Sequence, residues 1–211
     1  MSWGDFYALA KTLAYRIKQS RYRPDLVIAI GRGGYVPARV VCDFLLHEML
    51  TSFKIEHWEM AAQEKSAVTV RFPLAIDIRG MTVLVIDDVT DTGKTLEVAI
   101  AYLRGLHPHE IRTAVLQHKV TSPFRPDYFA RVEHEWRWIV YPWAVHEDLV
   151  GFVVKVLKAA SLDEEGILAE LRERYRFTAS LSDIRDALED LVNMGRIVRS
   201  GNRYSATRND A

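Results

Sequence analysis

A chain of 211 residues, 49% of them hydrophobic, can build one α/β domain with a real core and a modest extension. Its 28 basic and 28 acidic residues cancel, so net charge gives no pull toward nucleic acid or an anionic membrane. No apolar run reaches membrane-spanning length, and the opening Met1-Ser2-Trp3-Gly4-Asp5 does not resemble a signal peptide, so a cytoplasmic location is the expectation.

Apolar residues at Phe6, Leu9, Leu13 and Ile17 recur at helical spacing and mark an N-terminal helix. After Pro24 an apolar run over 26–30 reads as a strand, followed by Gly31-Arg32-Gly33-Gly34 and a helix over 36–47. Cys42 lies in that helix and suits a small core residue better than a nucleophile. A second strand is expected around 53–58. The stretch 61–67, small and charged without periodicity, reads as a mobile loop, and 68–72 alternates like a strand. Val83-Leu84-Val85-Ile86 is a buried central strand, 95–106 a helix and 112–117 another strand. Alternation through Trp136-Arg137-Trp138-Ile139-Val140-Tyr141-Pro142-Trp143 suggests a further strand, and its aromatic density also suits core or interface. A helix over 146–160 follows. Strands alternating with helices imply an α/β fold with a mainly parallel, doubly wound sheet.

The last fifty or so residues read differently. Amphipathic helices are expected over 163–175 and 182–194, the second capped by Ser182-Asp183 and ended by Gly195. A hairpin over 197–204 turns at Gly201-Asn202. Helices followed by a hairpin resemble a winged helix, which sets a first domain at 1–160 and a winged-helix-like extension at 161–211. Arg196, Arg199 and Arg203 gather near the hairpin, yet Asp183, Asp186, Glu189 and Asp190 occupy the helix that would meet DNA. Acids there oppose phosphate contacts, so dimerisation or packing is favoured over nucleic-acid binding.

The chemistry concentrates at the strand over 83–86, which leads into Asp87-Asp88-Val89-Thr90-Asp91-Thr92-Gly93-Lys94-Thr95. In an open α/β sheet, ligands bind outside the carboxyl ends of the strands, at such a strand-to-helix turn. Free amides and the dipole at the helix start suit a phosphate, while paired aspartates suit sugar hydroxyls or Mg²⁺. A phosphorylated sugar satisfies both. Gly93-Lys94-Thr95 matches the end of a Walker A loop, but that motif needs glycine where Asp88 stands, and a carboxylate there repels a triphosphate. Gly31-Arg32-Gly33-Gly34 is a second glycine-rich strand end, either a plain turn or a second phosphate site; its spacing fails the dinucleotide fingerprint at Val36.

The run of apolar strand, two acids and hydroxyl-rich glycine loop resembles the signature of the type I phosphoribosyltransferases. The resemblance covers roughly 26–160 and implies that fold, with phosphoribosyl pyrophosphate (PRPP) and Mg²⁺ as donor and cofactor. It implies that Asp87 and Asp88 take the ribose hydroxyls and lie near any metal. Thr90, Asp91, Thr92, Gly93, Lys94 and Thr95 would wrap the 5′-phosphate. Gly31, Arg32 and Gly33 would bind pyrophosphate, with a cis peptide between Gly31 and Arg32. Asp91 matches the acidic loop position of the 6-oxopurine branch, where a proton must move at purine N7. Lys119 matches the lysine that donates to O6; a lysine gives hydrogen bonds and cannot accept them.

The stretch Trp138-Ile139 with Pro142-Trp143 is similar to the base-binding segment of prokaryotic xanthine-guanine and hypoxanthine-guanine enzymes, which implies that Trp138 stacks on the purine and Ile139 meets its edge. Those enzymes often carry a metal-binding acid after Pro-Trp, and Ala144 stands here, leaving the metal to PRPP and water or to Glu147 or Asp148. The implied activity is purine salvage: transfer of the phosphoribosyl group from PRPP to N9 of hypoxanthine, guanine or xanthine, in a homodimer or tetramer, with 61–67 as the lid. A PRPP- or nucleotide-sensing transcriptional regulator is the rival; an adenine or pyrimidine enzyme is disfavoured by Asp91 and Lys119.

Overall fold

The computed structural model describes residues 1–59 and 63–207. Leu26–Gly31 (β1) is buried at every position, and Thr82–Thr90 (β4) is buried from Val83 to Asp87. Runs this apolar are stable as strands only when both sheet faces are covered. They form the middle of a six-stranded sheet in the order β3-β2-β1-β4-β5-β6. Its other members are β2 (Leu50–Glu59), β3 (Gln63–Phe72), β5 (Glu110–Lys119) and β6 (Tyr128–Glu133). The pairs β1–β2, β1–β4, β4–β5 and β5–β6 are all parallel.

From β1 the chain moves outward through α2 (Tyr35–Leu45) to β2; from β4 it moves the other way through α3 (Lys94–Arg104) to β5. The strand order therefore reverses between β1 and β4, which opens a crevice at their carboxyl ends. Register sharpens this. Ala29 pairs with Ile86, and β4 runs on past that point beside β5, with Asp87 opposite Val115 and Thr90 opposite His118.

One face of the sheet buries Ile28, Ile30, Phe53, Val83, Val85 and Val115 against Leu96, Ala99 and Leu103 of α3. Alternation leaves Val27, Ala29, Leu84 and Ile86 for the opposite face, over which α1 (Trp3–Gln19) and α2 pack together. Among the described residues, no helix is long and apolar enough to cross a membrane.

The chain separates into two compact units, Met1–Trp58 with Glu64–Pro142, and Glu59–Gln63 with Trp143–Ala211. In the second, α4 (Val145–Ala159) packs with α5 (Glu164–Tyr175), α6 (Leu181–Asn193) and a hairpin of β7 (Ile197–Ser200) and β8 (Arg203–Ala206). Phe152 of α4 meets the rings of Tyr175 and Phe177 at centroid distances of 4.6 and 5.8 Å.

Four expectations need correction. The aspartates lie inside β4 rather than after it, because β5 continues the ladder alongside them. Residues 63–67, read as loop, belong to β3, and residues 60–62 lie outside the described residues. Residues 136–143 form no strand; the ladder position beside β5 is taken by β6, and 134–142 follows it as irregular chain. Finally, α6 is capped by Ser180, not Ser182. Ser180 Oγ accepts from the Asp183 amide at 3.1 Å, while the Asp183 carboxylate accepts from the Ser180 amide at 2.8 Å.

The reciprocal box makes a discriminating pair of variants. Ser180→Ala is expected to cost about 1 kcal/mol of stability, while Ser182→Ala stays within about 0.5 kcal/mol of the parent, read from urea midpoints.

Candidate active site

Two turns meet at the crevice. The first follows β1, where the peptide between Gly31 and Arg32 is cis, as the signature implies. Hydrogen bonds from Gly34 to Ile30 (2.9 Å) and from Tyr35 to Arg32 (3.1 Å) then fold the chain into α2. The second follows β4 and starts α3 at Gly93, whose φ of 81° suits glycine. A β-carbon there would collide with Phe124 and lie 2.9 Å from Ser122 Oγ.

Gly33 joins the turns. A β-carbon on it would sit 2.5 Å from Asp88 Oδ2 and 2.7 Å from its Cγ, so the carboxyl group rests directly on the glycine backbone. Asp87 beside it is buried, and its Oδ1 accepts the Asp88 amide at 3.0 Å. Burial, and then the Asp88 charge, hold the Asp87 carboxyl well above the usual carboxylate range. Burial pushes the Asp88 carboxyl up to about 6. Thr90, next along the strand, is buried, and its Oγ1 has no hydrogen-bond partner. A buried hydroxyl without a partner costs free energy that an oxygen-rich ligand can restore.

The third cluster lies at the end of β5. Lys119 Nζ is buried and stands 3.0 Å from Asp91 Oδ2, so it is not a solvated surface lysine. Trp136 Nε1 donates to the other oxygen, Asp91 Oδ1, at 3.2 Å, and the Lys119 ammonium lies 4.8 Å from the centroid of the Trp136 ring. Both carboxylate oxygens of Asp91 are thus engaged. Sequence reasoning set Asp91 and Lys119 at two atoms of one base without joining them to each other, and missed Trp136.

The structure brings Gly33 to Asp88 and Asp91 to Lys119. Arg32 and Lys94 are exposed at the two turns, with Thr92 and Thr95 partly buried. Trp138 and Ile139 are partly buried in the irregular segment after β6. Of the acids considered in place of Ala144, Glu147 and Asp148 lie in the first turn of α4, in the second unit. Among the described residues, no cluster of three or more His, Cys, Asp or Glu side chains is placed to hold a metal ion.

Fold and site together define an α/β domain built to hold a ligand at the switch point of a parallel sheet. Residues 2–148 match the phosphoribosyl transferase domain, and the chain belongs to that family of enzymes. It is 27% identical to the hypoxanthine-guanine phosphoribosyltransferase of Saccharomyces cerevisiae over 187 residues, spanning 68% of this chain and 84% of that protein. It is 27% identical over 148 residues to the xanthine-guanine phosphoribosyltransferase of Cereibacter sphaeroides, with the same shares covered. The crystal structure of a purine phosphoribosyltransferase from Pyrococcus horikoshii superposes with a TM-score of 0.58 at 31% identity, covering 68% of this chain and 91% of that one. The family match ends at residue 148 and leaves most of the second unit outside it.

The acidic pair ties stability to pH. Both folded-state carboxyls hold protons more tightly than in the unfolded chain, so the unfolded state ionises first as pH rises. The ligand-free protein is expected to lose stability from about pH 4, the unfolded value, through about pH 6 for Asp88. Urea midpoints of an Asp87→Asn/Asp88→Asn variant are expected to gain on the parent over that window; parallel curves would exonerate the pair.

Proposed function

We propose that this enzyme transfers the 5-phosphoribosyl group from PRPP to N9 of a 6-oxopurine, hypoxanthine, guanine or xanthine, and releases pyrophosphate. The observation that carries the reading is the Asp91–Lys119 pair, 3.0 Å apart, with Lys119 buried and Asp91 partly buried. An acceptor and a cationic donor this close match N7 and O6 on one edge of the base. The names of the relatives support the same class of substrate.

In this reading Asp87 and Asp88 accept hydrogen bonds from the ribose hydroxyls. The turn from Thr90 through Asp91, Thr92, Gly93 and Lys94 to Thr95 surrounds the 5′-phosphate, with the Thr90 hydroxyl and the amides at the start of α3 as donors. Gly31, Arg32 and Gly33 hold the pyrophosphate. Lys119 donates to O6, Asp91 takes the N7 proton as N9 attacks C1′, Trp138 stacks on the ring and Ile139 meets its edge through the main chain. Positive charge builds on the sugar as the C1′–O bond to pyrophosphate breaks, so the Asp88 carboxylate, ionised above about pH 6, and the cationic Arg32 stabilise opposite ends of the transition state.

The donor set fits Mg²⁺, which characteristically takes one or two carboxylates plus phosphate oxygens and water rather than an all-protein cage. Asp87 and Asp88 are the side chains that would hold it together with PRPP, and bound there it would neutralise charge on the leaving pyrophosphate. Residues 1–160 constitute the transferase domain in this scheme, and the enzyme works in the cytoplasm as a homodimer or tetramer. The exposed acids Asp183, Asp186 and Glu189 on α6 favour packing or assembly over DNA for residues 161–211.

Pyrophosphate release with PRPP, Mg²⁺ and each purine tests the whole assignment. Asp91→Ala is expected to lower kcat by about 10²- to 10⁴-fold while PRPP binding persists; unchanged turnover would reject its role. Asp88→Ala is expected to weaken PRPP binding chiefly, as read by calorimetry, and an unaltered affinity would reject the ribose contact.

A further inference from the structure

The irregular segment after β6 carries Trp138 and Ile139, yet it has no ladder bonds to hold it. Besides the Trp136–Asp91 bond and a bond from the Met1 ammonium to the Val140 carbonyl at 2.9 Å, side chains at either end hold it. Arg137 Nη2 donates to Glu133 Oε2 at 3.1 Å, and the Tyr141 hydroxyl shares its one proton between Gln117 Oε1 at 3.1 Å and the Asp88 carbonyl at 3.2 Å. The two anchors converge on one buried unit: Gln117 Nε2 donates to Glu133 Oε1 at 2.5 Å, with Gln117 at 0% and Glu133 at 8% exposure. Arg131 Nε reaches the same Oε1 at 2.6 Å.

Polarity in this chain of bonds is fixed. Burial, followed by the charges of Asp88, Asp87 and Glu133, keeps Tyr141 protonated far into base, so its hydroxyl always has a proton to give. Burial favours neutral Glu133, but the hydrogen bonds from Gln117 and Arg131 and the charges of Arg131 and Arg137 outweigh it, so the carboxylate only accepts. Gln117 must therefore turn its amide nitrogen to Glu133 and its oxygen to Tyr141. Replacing a buried polar unit by apolar packing of equal volume is often neutral for stability, whereas directional bonds such as these define one geometry.

We propose that Gln117, Glu133 and Tyr141 are positioning residues for purine binding, a buried bracket that sets the Trp138–Ile139 segment against the Asp91–Lys119 pair. Through the Asp88 carbonyl, Tyr141 also registers that segment to the strand beneath the sugar. The proposal rests on the reading of Trp138 and Ile139 as the purine contacts.

The test compares Tyr141→Phe, which keeps the ring and loses the hydroxyl, with Arg137→Met at the exposed end of the bracket. Each lost hydrogen bond is expected to raise the purine KM about three- to tenfold, with kcat and the PRPP KM within about twofold of the parent. A purely structural role would lower the melting temperature and leave that split unseen. Purine KM unchanged in both variants, or PRPP KM raised equally, overturns the proposal. Trp138→Ala separates the layers. If it raises purine KM and the bracket variants do not, only the bracket falls. If it has no effect, or no 6-oxopurine is turned over, both readings fall. Should Tyr141→Phe fail to fold, Arg137→Met alone decides, because its side chain is 64% exposed and its loss leaves the core intact.

Discussion

The site depends on β-carbons being absent where its turns approach their neighbours. Gly33 lets the first turn lie against the Asp88 carboxyl group, so two loops that leave neighbouring strands in opposite directions become walls of a single crevice. A β-carbon at that position would displace the Asp88 carboxyl group, and one on the next residue, Gly34, would run into the backbone carbonyl of Ile86 in β4. The sheet fixes the two turns because β1 and β4 are apolar enough to demand cover on both faces, and that cover forces helices to depart on opposite sides.

Concentrating acids at such a place is costly. Asp87 and Asp88 sit side by side, and burial raises the proton affinity of both, with the Asp88 charge adding to the rise at Asp87. The base end is arranged in the opposite manner, with the Asp91 charge answered directly by Lys119 and by the Trp136 N–H. The acidic end of the crevice therefore suits a ligand that brings donors or positive charge, as polyhydroxyl sugars and divalent cations do. The other is already neutral as a pair.

Both turns and the central strands were legible in sequence because their signal is local: unbroken apolar, mostly β-branched runs ending in glycine, hydroxyl and acid. The edge of the sheet was not. Tyr128 to Glu133 alternates weakly and is interrupted by Arg131, whereas residues 136–143 alternate strongly yet find no free ladder beside β5. Period two there reflects side chains gripping Glu133 and Gln117 rather than strand pairing. Trp136 was invisible for a different reason: its partner Asp91 lies 45 positions away, and no local pattern encodes that meeting. At α6 the reading settled on Ser182, whereas the reciprocal spacing of Ser180 with Asp183 satisfies two amides at once.

The mutual satisfaction of Asp91 and Lys119 has a consequence for selectivity. A newcomer must replace an existing ion pair rather than fill a vacancy, so it is judged on two atoms simultaneously. A ring presenting an amino group at position six would leave the ammonium facing another donor while still prising the carboxylate loose, and forfeits on both counts. In the proposed reaction, discrimination is thus built into the resting state, before any chemistry begins.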